Sequence, residues 1–220
     1  MTDTSLGSSE GDGRLEYAYH LMARAAGIDM MESRLLEEGG RAHFYTRRYD
    51  RDDNTRIHIQ TLCAMNHLDF REIGTHDCSQ YLLTIRALGI GAAAEREAFR
   101  RAAFNVAAAN RDDHTKNFAF MLRATGSWEL APAYDLIHTP QIAYRMMSVN
   151  GRFDDITTAD FNVVADRFEI GGASDILNEV ADAVDSWPEF AEAARLDDRM
   201  AGLASDDFVN LRPRGRGGRA

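Results

Sequence analysis

Apolar residues recur at helical spacing from Arg14 to Ala26: Leu15, Ala18, Leu21, Met22 and Ala25 share one face, and Gly27 is a natural stop. The period then changes. Ser33 to Glu37 and Arg41 to Tyr49 read as strands joined around Gly39-Gly40, which predicts a hairpin. Ile57 to Leu68 and Ser79 to Leu88 are predicted helices, the second with Leu82, Leu83 and Ile85 to bury. Gly89 to Ala94 matches the G-x-G-x-x-A spacing of dinucleotide sites. That fingerprint follows a strand, and here it follows a helix, so the stretch is a helix stop and restart. A long helix from Glu95 to Ala109 comes next, with Phe99, Ala103, Val106 and Ala107 as core positions.

A polar octet, Asn110-Arg111-Asp112-Asp113-His114-Thr115-Lys116-Asn117, interrupts the apolar pattern, and Phe118 to Leu130 then reads as a hairpin. Past Pro132-Ala133-Tyr134-Asp135-Leu136 the chain is irregular through Pro140. Thr158 is placed to cap a helix from Ala159 to Phe168, and Ser174 another from Asp175 to Ser186. Trp187-Pro188 breaks the pattern before a helix from Glu189 to Arg195. The ends lack apolar periodicity. Residues 1–13 are expected to be a flexible arm, residues 14–200 the folded domain, and residues 201–220 a disordered tail rich in Arg and Gly at its end.

Composition narrows the function classes. The 220 residues are 45% hydrophobic and 27% charged, an ordinary globular balance. A net charge of -10 argues against direct DNA binding, which favours a basic surface. No apolar run reaches the ~18–20 residues of a membrane span. Cys63 and Cys78 form neither a disulfide framework nor a CxxC site, so a cytoplasmic location is expected. Zinc-site and serine-hydrolase spacings are missing, and Met146-Met147 reads as core. Of the 25 basic residues only Lys116 is lysine, so no phosphate-binding lysine lies outside the octet.

The octet is where chemistry concentrates. Asp112 precedes Asn117 by five residues, as Asp and Asn do in the kinase catalytic loop H-R-D-x-x-x-x-N. Phosphoryl transfer needs a carboxylate facing the acceptor hydroxyl, and further oxygen donors for Mg²⁺, a cation that prefers oxygen. Asp112, Asn117 and Asp135 supply that set; on spacing alone they are equally a solvated loop and a turn residue. Glu16 is either a helix-dipole partner or the glutamate that pairs a nucleotide-binding lysine. Arg47-Arg48-Tyr49 is either a charged strand end or a hinge that meets adenine through its backbone. His114 is the one histidine inside the loop, suited to orienting it rather than acting as base.

Taken together, Glu16-Tyr17-Ala18-Tyr19, Ala23-Arg24-Ala25-Ala26-Gly27, Arg48-Tyr49-Asp50-Arg51, His58-Ile59-Gln60-Thr61, Asn110 to Asn117, Pro132 to Leu136 and Met147-Ser148-Val149-Asn150-Gly151 resemble the C-terminal part of HipA-like Ser/Thr kinases over roughly residues 14 to 190. These are the toxins of bacterial toxin–antitoxin pairs. The resemblance implies an α+β, protein-kinase-like fold, with a mostly helical C-terminal lobe and a small, incomplete β-rich N-terminal portion. It implies transfer of the ATP γ-phosphate to a protein Ser or Thr, with Mg²⁺ as cofactor. Asp112 would then be the catalytic carboxylate, Asn117 and Asp135 the metal ligands, Lys116 a neighbour of the phosphates, and Arg47, Arg48 and Tyr49 the adenine hinge. A HipB-like DNA-binding antitoxin is the implied partner.

The pattern departs from the family at the start. Family members carry a glycine-rich phosphate loop and a strand with an ATP-contacting lysine before the Glu16 helix, which here begins at residue 14. An arginine does not replace that lysine, because its planar fork differs in shape and hydration from a compact ammonium. Three expectations stand: a kinase portion active only with a separate N-terminal piece, a pseudokinase-like module that binds an antitoxin or other protein, or a nonfunctional remnant.

Overall fold

Helix α1 (Asp12–Ala25) buries Leu15, Ala18 and Met22 of the predicted face. Tyr19, His20 and Ala23 are buried with them while Leu21 is half-buried and Ala25 exposed, so the buried stripe is rotated from the predicted one. The helix leads into Gly27 at φ +79°. The computed structural model of the chain describes residues 11–53 and 55–213; the expected arm up to residue 10 and the Arg/Gly run from residue 214 lie outside the described residues. Strands β1 (Ser33–Glu38) and β2 (Arg41–Thr46) form the expected antiparallel hairpin, and Gly39 and Gly40 both take the positive φ that its turn requires. β2 stops at Thr46, short of the expected Tyr49, and a ribbon of β3 (Arg51–Asp52) and β4 (Thr55–Arg56) follows.

The expected helix from Ile57 to Leu68 is half strand. Residues His58–Thr61 form β5, and only Leu62–Asn66 coil into helix α2, with the Thr61 hydroxyl capping at Ala64 N–H. The cause is a distant partner: β5 pairs antiparallel with β7 (Ala119–Leu122), from His58 opposite Leu122 to Thr61 opposite Ala119. Ile57 and Ile59, two apart, then turn to one small apolar cluster, a period of two that the helical reading overrode. β8 (Trp128–Leu130) completes this three-stranded sheet in the order β5-β7-β8, as the predicted hairpin requires.

Between them lie β6 (His76–Asp77), α3 (Cys78–Ala87) and α4 (Ala92–Ala107), the last two separated at the predicted glycines. β6 pairs in parallel with β9 (Met147–Ser148). Helices α5 (Thr158–Arg167), α6 (Ala173–Asp185), α7 (Trp187–Ala193) and α8 (Asp198–Ser205) complete the helical part. The α5 cap is Thr157 rather than Thr158, with the Asp160 carboxylate accepting from its N–H and its hydroxyl. The α6 cap is Gly172 rather than Ser174.

The core gathers α1, α4 and α6 around Tyr19, which is fully buried and donates its hydroxyl to Ala108 O at 2.7 Å. The rings of Phe104, Trp187 and Phe208 stand edge-on around it. Phe208 belongs to the stretch expected as a tail from residue 201. That expectation is corrected as far as residue 213: α8 runs to Ser205, Val209 N–H donates to Ala107 O at 2.9 Å, and Leu211 is fully buried. Apolar Phe208 and Leu211 find a floor that local composition does not reveal.

Candidate active site

Helix α4 ends at Ala107, and Ala109 takes a left-handed φ of 53°, which throws the octet Asn110 to Asn117 across to β7. The loop is bolted from inside by Asp113, which is 5% exposed. One carboxylate oxygen receives Arg145 Nη1 at 2.8 Å, and the other receives the N–H groups of Met146 and Met147. Arg145, itself buried, also donates to Asn110 O at 2.8 Å and Asn105 O at 3.1 Å. Burial pushes the Asp113 carboxyl up, against the pull of Arg145 and the two amides. The loop thus hangs from the segment that follows Asp135.

Asp112 points the other way. It is half-buried, and its carboxyl is raised by burial and by Asp135, with His114 opposing. His114 Nε2 stands 3.8 Å from Asp112 Oδ1. Asn117 closes the loop on itself: its Nδ2 donates to Asp112 O at 2.9 Å and its N–H to His114 O. Lys116 extends outward, its ammonium 5.1 Å above the Phe70 ring. Asp135 holds a left-handed φ of 59°, which Asp tolerates better than most residues, and its carbonyl receives Asn110 Nδ2 at 3.4 Å. Glu16 belongs to the same electrostatic neighbourhood: burial, Asp135 and Asp12 push its carboxyl up to about 7.

Asp112, His114, Lys116, Asn117 and Asp135 are therefore gathered in one region with Glu16 beside them. The adenine-hinge candidates divide. Tyr49 stacks on Tyr134 with centroids 5.6 Å apart, and Tyr134 donates its hydroxyl to Lys116 O at 2.8 Å. Both tyrosines pack with Ile57 and Ile59 against Ala119, Met121 and Ala131, an apolar shelf beside the loop. Arg48 instead pairs with Asp50 in solvent, and Arg47 lines an open groove with Glu32, Ser33, Arg34 and Tyr45. Neither makes a hydrogen bond or ion pair with the loop.

For a metal, the oxygen donors at hand are the Asp135 carboxylate, which makes no hydrogen bond or ion pair among the described residues, and Asn117 Oδ1, left free by its Nδ2. Among the described residues no three His, Cys, Asp or Glu side chains converge on one point. A carboxylate and an amide oxygen are hard donors of the kind Mg²⁺ takes, one or two from the protein with phosphates and water completing the shell. Burial first, and then the Asp135 charge, raises the carboxyls of Asp112 and Glu16, and a cation beside Asp135 would relieve the second of these.

Sequence reasoning missed the Asp113–Arg145 bolt and Phe70. The signal for the first was an arginine directly before the apolar pair Met146-Met147, a charge in a run that must be buried.

The layout defines a class: a protein-kinase-like α+β fold carrying its polar loop between a buried helix and a small sheet. The chain belongs to the family of the HipA-like C-terminal domain, whose model matches residues 3–187. A chain from the Shewanella oneidensis MR-1 toxin–antitoxin complex of HipA, HipB and operator DNA superposes with a TM-score of 0.65 at 17% identity, covering 89% of this chain and 53% of that one. The Helicobacter pylori proinflammatory kinase CtkA superposes with a TM-score of 0.60 at 11% identity, covering 90% of this chain and 79% of that one. The present chain thus spans about half the length of the Shewanella chain. No curated protein matches it by sequence. No helix among the described residues is long and apolar enough to cross a membrane.

Proposed function

We propose that the chain is the phosphoryl-transfer portion of a HipA-like kinase that moves the ATP γ-phosphate to a Ser or Thr hydroxyl of a protein. The observation that carries this reading is the outward placement of Asp112 and Asn117 on a loop whose other side is locked to the core, with Asp135, from the segment after β8, in the field of Asp112. Asp112 faces the acceptor hydroxyl and takes its proton; its raised carboxyl is suited to that exchange. His114 keeps Asp112 oriented from 3.8 Å, and Lys116 meets the phosphates. Asp135 and Asn117 Oδ1 would hold Mg²⁺, which would supply positive charge at the phosphates. The Tyr49–Tyr134 stack and its apolar shelf support an adenine seat there, with Arg47 and Arg48 contributing backbone only. A protein bearing the Ser or Thr and a HipB-like antitoxin are the partners, and the location is the cytoplasm.

Glu16 favours a second reading. A kinase glutamate in this position pairs a lysine, and Glu16 makes no ion pair among the described residues and has a carboxyl pushed up to about 7. The alternative is a catalytically impaired, pseudokinase-like module that binds an antitoxin or another protein.

Calorimetric titration of Mg²⁺–ATP into the folded chain separates them, with Asp135→Ala as control. Binding that disappears in the control is expected of the kinase reading. A folded chain that binds no nucleotide overturns it for this chain alone.

A further inference from the structure

We propose that Phe70 is a positioning residue of this centre: its ring fixes the Lys116 ammonium and the His114 imidazole where an incoming polyphosphate meets them. The inference rests on the kinase reading above for its consequence, and on contacts alone for its geometry. Phe70 is half-buried and stands apart from both apolar clusters. Its ring partners are polar side chains: His114 edge-on at 5.4 Å, Lys116 at 5.1 Å and Arg71 at 5.3 Å. Two of these three belong to the catalytic octet. A ring that merely filled space would be expected among aliphatic neighbours.

The ring is presented by a stiff mount. Asp69 Oδ1 accepts Arg71 N–H at 3.0 Å, Asp69 O accepts Glu72 N–H at 3.2 Å, and His76 Nε2 lies 2.8 Å from the same carbonyl. His76 is buried and starts β6, so the loop is tied to the fold's interior at its far end. On the other side, the Lys116 backbone is already fixed, because its carbonyl receives the Tyr134 hydroxyl and the next residue folds back onto Asp112 O. Only the lysine side chain is left soft, and it makes no ion pair among the described residues. An aromatic face restricts such an ammonium without neutralising it, so the full charge stays available to an anion. The edge contact likewise keeps His114 against Asp112.

Lys116 is the only lysine in the chain, so labelling lysine with ¹³C at the ε position yields one side-chain signal. In the whole chain, the ε protons should lie upfield from the ring current. Phe70→Leu should return them to the free-lysine position, and Phe70→Tyr should keep the shift. Mg²⁺–ATP affinity should fall about two- to fivefold in Phe70→Leu and recover in Phe70→Tyr. An unshifted signal in the parent chain, or one that ignores Phe70→Leu in a sample with a native amide spectrum, overturns the positioning role even if nucleotide binds. A Phe70-dependent shift with equal affinity in both variants overturns it too, since the contact then has no consequence. Failure of the kinase reading looks different: the lysine shift depends on Phe70, and the parent chain binds no Mg²⁺–ATP.

Discussion

Asp112 and Asp113 are neighbours with the same side chain, and the fold gives them opposite situations. Asp113 faces inward, where an arginine and two backbone N–H groups occupy its oxygens. Asp112 faces outward, beside His114 and within the field of Asp135. The inner carboxylate is saturated with partners, and the outer one is crowded by like charge. A loop of eight residues thereby divides anchoring from the proposed chemistry, and each neighbour can be altered to test the division.

The largest effect is expected from Arg145→Met, which strands Asp113 in the interior. Breaking such a pair from one side costs about 3–5 kcal/mol, and urea unfolding should show it. A loss under about 1 kcal/mol would mean that the bolt does not hold the loop. Asp112→Asn should do the reverse: phosphate transfer falls by ~10²–10⁴ while the urea midpoint stays within error. A midpoint drop as large as that of Arg145→Met would erase the contrast between the two sides.

Glu16 sharpens the outer half. Its folded carboxyl, at about 7, lies above the ordinary 4.5, so the unfolded state releases the proton first as pH rises. Stability is therefore unaffected below pH 4.5, falls from there to about pH 7, and carries the full penalty above it. Glu16→Gln should stabilise the chain by roughly 1–3 kcal/mol at pH 8 and change little at pH 4, read from thermal melts across pH. An equal effect at both pH values would remove ionisation of this buried carboxyl as the cause. The smallest effect belongs to Tyr134→Phe, which deletes the hydroxyl donated to Lys116 O and should cost about 0.5–1.5 kcal/mol. A neutral result in urea would leave the stack with Tyr49 as the only tie on that side.

The sequence carried much of this layout, and the errors share a cause. The octet was visible because eight polar residues interrupt a helical period and a strand period, a purely local contrast. Whether Asp112 or Asp113 turns inward was not local: it depends on Arg145, which lies 32 residues downstream of Asp113. Residues 58–61 were misread for the same reason, since their strand character comes from β7, about 60 positions away. The stretch after residue 201 looked like a tail until Ala107 and Tyr19 supplied its floor. Phe70 was passed over because a single aromatic in a turn has no period, and its partners are polar.

The packing of residues 207–211 has a consequence for how the protein is made. Asp207 bonds His138 at 2.9 Å and approaches Arg111 of the octet, while Val209 closes on the end of α4. On the ribosome the octet emerges roughly a hundred residues before those partners, a lead of about 5–20 s at usual elongation rates. Once Arg145 has followed, 32 residues behind Asp113, the loop has its inner bolt available and still lacks its outer buttress. The nascent chain thus passes through a stage in which the loop exists before the last wall of its surroundings.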